Sequence, residues 1–132
     1  MNGLRRLVLL GQSGFYMVMG VWPIISMHSF EAVTGPKTDD WLVQTVGLLA
    51  AAIGVSLLVG VWRSHPSPET LTLSVTSAAA FACVDVVFVI RRMISPIYLV
   101  DAAIEGMVLL SLAATSRVRR PVGRPSPGSR SA

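Results

Sequence analysis

The sequence has few charged residues, one cysteine and one lysine. Only 14% of its 132 residues are charged, whereas 52% are hydrophobic, and the mean hydropathy is +0.63. This balance excludes an ordinary soluble domain and predicts an integral membrane protein. The single cysteine, Cys83, excludes an intrachain disulfide, a paired-thiol redox motif and a thiolate metal site. We expect Cys83 to be a small buried hydrophobic residue.

Motifs of known chemistry are also absent from the sequence. It contains no nucleotide-binding glycine loop, no nucleophile elbow and no zinc-protease motif. The two histidines, His28 and His65, are predicted to lie near opposite faces of the membrane, so they cannot share a metal ion. We therefore expect no catalytic residue, no metal and no cofactor, and a protein that is not an enzyme.

Four apolar runs of about twenty residues are the dominant feature of the chain, and this is the length that a spanning helix needs. They predict an all-α fold, a four-helix transmembrane bundle that occupies residues 1–115. The first run has the basic flank and apolar core of a signal peptide, but no small-residue cleavage pattern follows it, so we interpret it as a retained helix. Residues 116–132 are rich in arginine, proline and serine and predict a disordered tail. The predicted helices cover residues 4–27, 41–62, 71–90 and 96–114.

The distribution of positive charge predicts the orientation of these helices. The net charge of +4 comes from residues at the ends of the apolar runs and in the tail, which is typical of membrane proteins and not of nucleic-acid binding. Most arginines lie on one side of the membrane, so we expect both termini in the cytoplasm. The sequence has one lysine beside ten arginines, which is typical of a high-GC bacterial genome, so we expect the membrane to be a bacterial inner membrane. The tail is predicted to contact anionic lipid headgroups. The arginines on the cytoplasmic side are Arg5, Arg6, Arg63, Arg117, Arg119, Arg120, Arg124 and Arg130.

Small residues recur at four-residue spacing in the second apolar run. Gly47 precedes Ala51, and Ala50 precedes Gly54, at intervals that place each pair on one helix face. Such pairs let another helix approach closely, so this face is predicted to pack inside the bundle. Trp41 and Trp62 flank the same run at a separation of roughly 31 Å along a helix, which predicts one indole at each membrane interface.

Two further segments carry polar residues. In the first run Gln12, Ser13 and Tyr16 are expected to point inward, where bundle packing is a better explanation than ligand binding. Residues 27–41 contain a Gly-Pro pair among polar residues, which predicts a turn. We interpret this segment as a solvated loop, with a cover over the mouth of the bundle as the alternative.

The last two apolar runs contain charged residues, and charge within lipid is costly enough to mark a candidate site. Asp101 and Glu105 are four positions apart, so they share a helix face. The turn between the runs is short, so the two helices must be antiparallel and in contact, which brings Asp85 to the depth of Asp101 and Glu105. The predicted charged cluster comprises Asp85, Arg91, Arg92, Tyr98, Asp101 and Glu105.

The charges of this cluster do not balance. We expect Arg91 and Arg92 to pair with the carboxylates or to extend outward to the interface. Three carboxylates then face two arginines, and burial and nearby like charge both favour the protonated acid. At least one of Asp85 and Glu105 is therefore expected to hold a proton. The cluster either fixes the register of two helices, which we favour, or forms part of a proton or cation pathway.

Two segments, SFEAVTGPKTDDWLVQTVG and DVVFVIRRMISPIYLVDAAIEG, resemble those of an uncharacterised family of small bacterial four-helix integral membrane proteins. The size of the chain and its number of spans are also loosely similar to those of DoxX-like membrane proteins, some of which are associated with quinone or redox systems. The resemblance implies a four-helix membrane fold and carries over no catalytic residue.

The leading expectation for function is an inner-membrane protein without catalytic activity, a structural or accessory component. It would act in the lipid bilayer as a homo-oligomer or with a membrane partner protein. The first alternative is a proton- or cation-coupled transport subunit that uses Asp85, Asp101 and Glu105. The second alternative is a small quinone-linked redox subunit, which would need an electron carrier supplied by a partner.

Overall fold

The computed structural model of the protein describes residues 3–63 and 65–117. These residues form five helices and no strand, and four of the helices are long and apolar enough to cross a membrane. The predicted all-α, four-helix transmembrane bundle is therefore confirmed. The tail beyond residue 117 lies outside the described residues. The helices are α1 (Gly3–Ile25), α2 (Met27–Thr34), α3 (Asp40–Trp62), α4 (Pro68–Ile90) and α5 (Tyr98–Arg117).

Local capping explains where the helices begin and end. α4 begins at Pro68, three residues before the predicted start, because proline suits the first helical position, where no hydrogen-bonded N–H is needed. The hydroxyl of Ser67 accepts a bond of 3.3 Å from the amide of Thr70 and caps this helix. α5 begins two residues later than predicted and includes Arg117, so residues 116 and 117 belong to the helix and not to the predicted tail.

The short helix α2 was not predicted, because the sequence analysis interpreted its residues as a solvated loop. Ser26 caps its start with a bond of 3.4 Å from the amide of Ser29. Gly35 ends it with a positive φ of 92°, a backbone conformation that favours glycine. Phe30 is buried, and its ring stands perpendicular to that of Trp22 at a centroid distance of 5.6 Å. α2 therefore packs against the end of α1.

The four long helices form a closed bundle in the order α1, α3, α4, α5, with each helix in contact with its two neighbours. We call the end that carries α2 and the turn between α4 and α5 the α2 end. The other end, with Gly3 and Arg117, is called the terminal end. His28 and His65 lie at these opposite ends, as predicted.

α1 and α3 approach each other through small residues. A Cβ atom added to Gly20 would overlap the carbonyl oxygen of Gly47 and the amide nitrogen of Ala51. Farther along the same contact, the Ser13 hydroxyl donates a bond of 2.8 Å to the carbonyl oxygen of Gly54. The small-residue face predicted for the second run is therefore confirmed as a packing face, and it lies against α1.

The bundle is apolar on its outer surface and polar in parts of its interior. Ile25, Trp62 and Leu110 are each more than 70% exposed, whereas several of the buried side chains are polar or charged. This distribution suits a lipid environment, in which an apolar side chain gains nothing from burial. Cys83 follows the same rule: it is exposed, so the prediction of a buried cysteine was wrong. The buried polar residues are Arg5, Gln12, Ser13, Thr34, Ser74, Ser77, Asp85, Glu105 and Thr115.

Candidate carboxyl site in the bundle interior

Three acidic side chains from α4 and α5 meet inside the bundle. Asp85 is 5% exposed and Glu105 is 1% exposed, while Asp101 is half-buried. The carboxyl groups of Asp85 and Asp101 lie within hydrogen-bonding reach of each other, and Glu105 is the next charged neighbour of Asp85. We call these three residues the carboxyl cluster. The sequence analysis predicted that these residues lie at the same depth, and the structure places them together.

A compact turn brings the two helices into this register. Arg92 has a positive φ of 57°, and its amide donates a bond of 3.0 Å to the carbonyl oxygen of Val89. The next amide, of Met93, donates a bond of 3.0 Å to the carbonyl oxygen of Phe88. These two bonds form a Schellman motif, which ends α4 and reverses the chain within a few residues. Asp85, five residues before the end of α4, therefore faces the first two turns of α5.

The remaining members of the predicted cluster do not join the carboxylates. Arg91 and Arg92 are exposed at the turn, which corresponds to the outward-extending alternative. The half-buried Tyr98 instead contacts the connection after α2: the ammonium group of Lys37 lies 5.1 Å from the centre of its ring. The structure thus separates the predicted set into a buried acidic part and a peripheral part.

Several oxygen atoms of the carboxyl cluster have no hydrogen-bond partner among the residues that the structure describes. These are Oδ2 of Asp85, Oδ1 of Asp101 and both carboxyl oxygens of Glu105, and all four atoms are buried. The charged groups that act on Asp85 are Asp101 and Glu105, which are acidic themselves. A buried carboxylate without a donor or a cation is costly, and such unsatisfied groups in a protein require an explanation.

α1 supplies polar neighbours of the cluster that the sequence analysis did not connect with it. The hydroxyl of Tyr16 lies beside the carboxyl group of Glu105 and accepts a bond of 3.1 Å from Nε2 of Gln12. The same nitrogen donates a bond of 3.0 Å to the carbonyl oxygen of Ser74, whose hydroxyl donates to Oε1 of Gln12. The prediction that Gln12 and Tyr16 point inward is confirmed.

These contacts form a line of polar groups that starts at Asp85 and Asp101 and continues through Glu105, Tyr16 and Gln12 to Ser74. We call this line the polar track. It begins near the α2 end and stops at Ser74, six residues into α4 from the terminal end. The track therefore extends from one end of the bundle only part of the way to the other.

Buried leucines occupy the level at which the polar track stops. Leu9 and Leu57 are 0% exposed and Leu112 is 4% exposed. Each lies five or six residues from the terminal end of its helix, which is about 8 to 9 Å along the helix axis. Beyond them, the buried Arg5 donates from Nε to the hydroxyl of Thr115 over 3.4 Å. We call the three leucines the leucine layer; they are buried at the level at which the polar track stops.

Comparisons with known proteins leave the function to be inferred from this geometry. No protein-family model, no curated protein and no solved structure matches the chain. The resemblance of two segments to small bacterial four-helix membrane proteins stays a prediction. Within residues 3–63 and 65–117, no group of three or more His, Cys, Asp and Glu side chains is arranged to hold a metal ion.

Proposed function

We propose that this protein is a subunit of a proton-coupled cation transporter whose carboxyl cluster takes up either protons or a cation. The observation that supports this most strongly is the set of buried carboxyl oxygens without partners, beside acidic neighbours. Carboxylates in a membrane interior are retained with a partner or for a function. A proton or a cation from solution supplies the partner that the chain itself does not.

Competition between protons and cations for the carboxyl cluster follows from the charge of the acids. An acid that has bound a proton is neutral and has lost its attraction for a cation, whereas the ionised acid attracts one. Asp85, Asp101 and Glu105 therefore bind protons and cations in competition, which couples the movement of one to the movement of the other. Tyr16 lies beside Glu105, and with Gln12 it extends the path toward Ser74.

The leucine layer limits access to the carboxyl cluster from the terminal end. The polar track meets buried leucines before it reaches that end, whereas a cavity between α1 and α5 opens beside Glu105 on the side of the bundle. Transport then requires a second state, in which the contacts around Leu9, Leu57 and Leu112 open. Four short helices enclose little space, so we propose that the working form is an oligomer or a complex with a membrane partner.

A structural or accessory role is the second candidate, and the contact between α1 and α3 favours it. Gly20 and Gly47 pack backbone against backbone, as do Ser13 and Gly54, which holds α1 and α3 close together. A protein with this role would keep its function when the carboxyl cluster is neutralised. The two candidates therefore differ in a measurable way.

We also propose a bacterial inner membrane as the location, with both termini in the cytoplasm. Arg5, Arg6, Arg63 and Arg117 all lie at the terminal end, which supports this orientation. A Cys83→Ser background that carries Lys37→Cys provides the test. A membrane-impermeant maleimide added to intact cells should label the new cysteine, and labelling only after the cells are opened would reverse the orientation.

Proton flux in reconstituted vesicles tests the proposed transport. The purified protein is placed in vesicles that contain a pH-sensitive dye, and a pH gradient is imposed in the presence of a candidate cation. Glu105→Gln and Asp85→Asn should each reduce the flux to the level of protein-free vesicles. Glu69→Gln is the matched control, because this exposed acid lies outside the cluster and should leave the flux unchanged. Equal flux from all four proteins would contradict the proposal.

A further inference from the structure

A groove between α1 and α5 opens on the outer surface of the bundle and reaches the carboxyl cluster. It encloses a cavity of about 300 Å³, which lies at the lower end of the range for small-molecule sites. Its walls are largely apolar and include Phe15, Ile104 and Met107, while Gln12, Glu105 and Ser111 supply polar groups. We call this cavity the α1/α5 groove. Met107 is 68% exposed, so the groove borders the surface that faces lipid.

Glu105 and Ser111 are the polar groups in the groove that remain free to bind a ligand, and Glu105 is the charged one. Nε2 of Gln12 already donates to Tyr16 and Ser74, whereas both carboxyl oxygens of Glu105 are buried and have no hydrogen-bond partner. Two unpartnered acceptors inside an acidic cluster attract a group that is both a cation and an N–H donor. The ring of Phe15 adds an aromatic surface, to which cations are also attracted.

We propose that the α1/α5 groove binds a lipophilic amine in its protonated form, with the ammonium group on Glu105 and the apolar body along Phe15, Ile104 and Met107. This inference rests on the proposed function, since it names the cation that the carboxyl cluster exchanges for protons. The apolar walls exclude a hydrated inorganic cation as the preferred ligand. The free amine reaches the groove through the lipid.

The depth of Glu105 in the bundle makes it accessible to a free amine but not to the amine of a lipid headgroup. Glu105 lies seven residues after the start of α5, about 10 Å along the helix from the α2 end. A headgroup amine is held at the membrane interface by its phosphate, so it does not reach this depth. A small amine with a phenyl or short alkyl body has no such restraint.

Glycines in α1 provide a matched pair of variants for testing the groove. Gly11 lines the groove, and an added Cβ there meets no atom within 4 Å, so Gly11→Leu fills the cavity without a clash at the Cβ. Gly14 lies one turn later and is equally unobstructed, but it does not line the groove. Gly14→Leu therefore makes the same chemical change outside the proposed site.

The experiment measures equilibrium binding of radiolabelled phenethylamine to the purified protein in detergent micelles at pH 7. 2-Phenylethanol, a neutral molecule of similar shape, serves as the comparison ligand. We expect phenethylamine to bind the original protein and Gly14→Leu equally, and Gly11→Leu and Glu105→Gln more weakly by about tenfold or more. We expect 2-phenylethanol to bind more weakly than the amine and to be unaffected by Glu105→Gln.

Other outcomes overturn the inference. If the alcohol binds as tightly as the amine, the groove selects apolar shape and not charge, and a neutral ligand such as a quinone becomes the better candidate. If Gly11→Leu binds the amine as well as Gly14→Leu does, the site is elsewhere. Circular dichroism verifies that each variant is folded. Amine binding without proton flux in vesicles would refute the proposed transport while leaving this site in place, so the two failures are distinguishable.

Discussion

Replacing Asp85 with asparagine removes a charge from the carboxyl cluster with little change in the shape of the side chain. If the cluster fastened α4 to α5 through ion pairs, the loss of one partner would cost about 3 to 5 kcal/mol of the free energy of unfolding. The charged groups that act on Asp85 are acidic, so the variant breaks no ion pair. The new amide can also donate a hydrogen bond to Asp101, and such a bond contributes about 0.5 to 1.5 kcal/mol.

We therefore expect Asp85→Asn to keep the stability of the original protein or to exceed it by up to about 1.5 kcal/mol. The assay is unfolding in mixed detergent micelles at pH 7, with increasing denaturing detergent, followed by circular dichroism. Gln12→Leu calibrates the assay: it loses the bonds to Ser74 and Tyr16, so its stability should fall by about 1 to 3 kcal/mol. A loss of 3 kcal/mol or more in Asp85→Asn would refute our account of the cluster and favour a structural role.

Three further predictions concern the fold. Gly20→Leu should destabilise the protein by about 1 to 3 kcal/mol in the same assay, because its added atoms meet the backbone of α3. Gly14→Leu should leave the stability unchanged. Equal stabilities of the two variants would contradict the close packing of α1 on α3. Arg92→Gly should raise the stability by about 1 kcal/mol, because residue 92 has a positive φ that glycine adopts without strain; a loss of stability would show that the Arg92 side chain contributes contacts. Cys83 should react with a lipid-soluble maleimide in the folded protein, since it is exposed; reaction only after unfolding would place it inside the bundle.

The four long helices could be predicted from the sequence because lipid imposes a simple requirement. A spanning helix needs about twenty apolar residues, and the four runs meet this condition one after another. The spacing of Gly47 and Ala51 predicted a packing face for a similarly local reason, since a helix places residues four apart on one side. The shared depth of Asp85, Asp101 and Glu105 followed from the short turn between α4 and α5.

Other features depend on contacts that a local pattern does not contain. α2 is only eight residues long and is held by Ser26 and Gly35 at its ends, so its apolar residues form too short a pattern to predict a helix. Cys83 is exposed because lipid is as apolar as the interior, and a rule derived from soluble proteins failed there. The link from Glu105 to Tyr16 and Gln12 requires the order of helices around the bundle.

The positions of Arg91 and Arg92 also depend on a feature that the sequence analysis did not predict. The sequence analysis left two alternatives for Arg91 and Arg92, pairing with the acids of the same hairpin or extending outward. The Schellman motif places Arg92 beyond the end of α4, in a left-handed conformation, and both side chains are exposed, which corresponds to the second alternative. The sequence contains an indication of this turn. Met93 and Ile94, which follow Arg92, are apolar, and such turns commonly have an apolar residue after the left-handed position.

The central claim is that Asp85, Asp101 and Glu105 together carry protons or cations. The most direct measurement is the proton flux, driven by a pH gradient in the presence of a candidate cation, into vesicles that contain the triple variant Asp85→Asn, Asp101→Asn, Glu105→Gln. The original protein is measured at the same ratio of protein to lipid. The account predicts that the triple variant folds and inserts normally, and that its flux equals that of protein-free vesicles. A flux equal to that of the original protein would contradict the account.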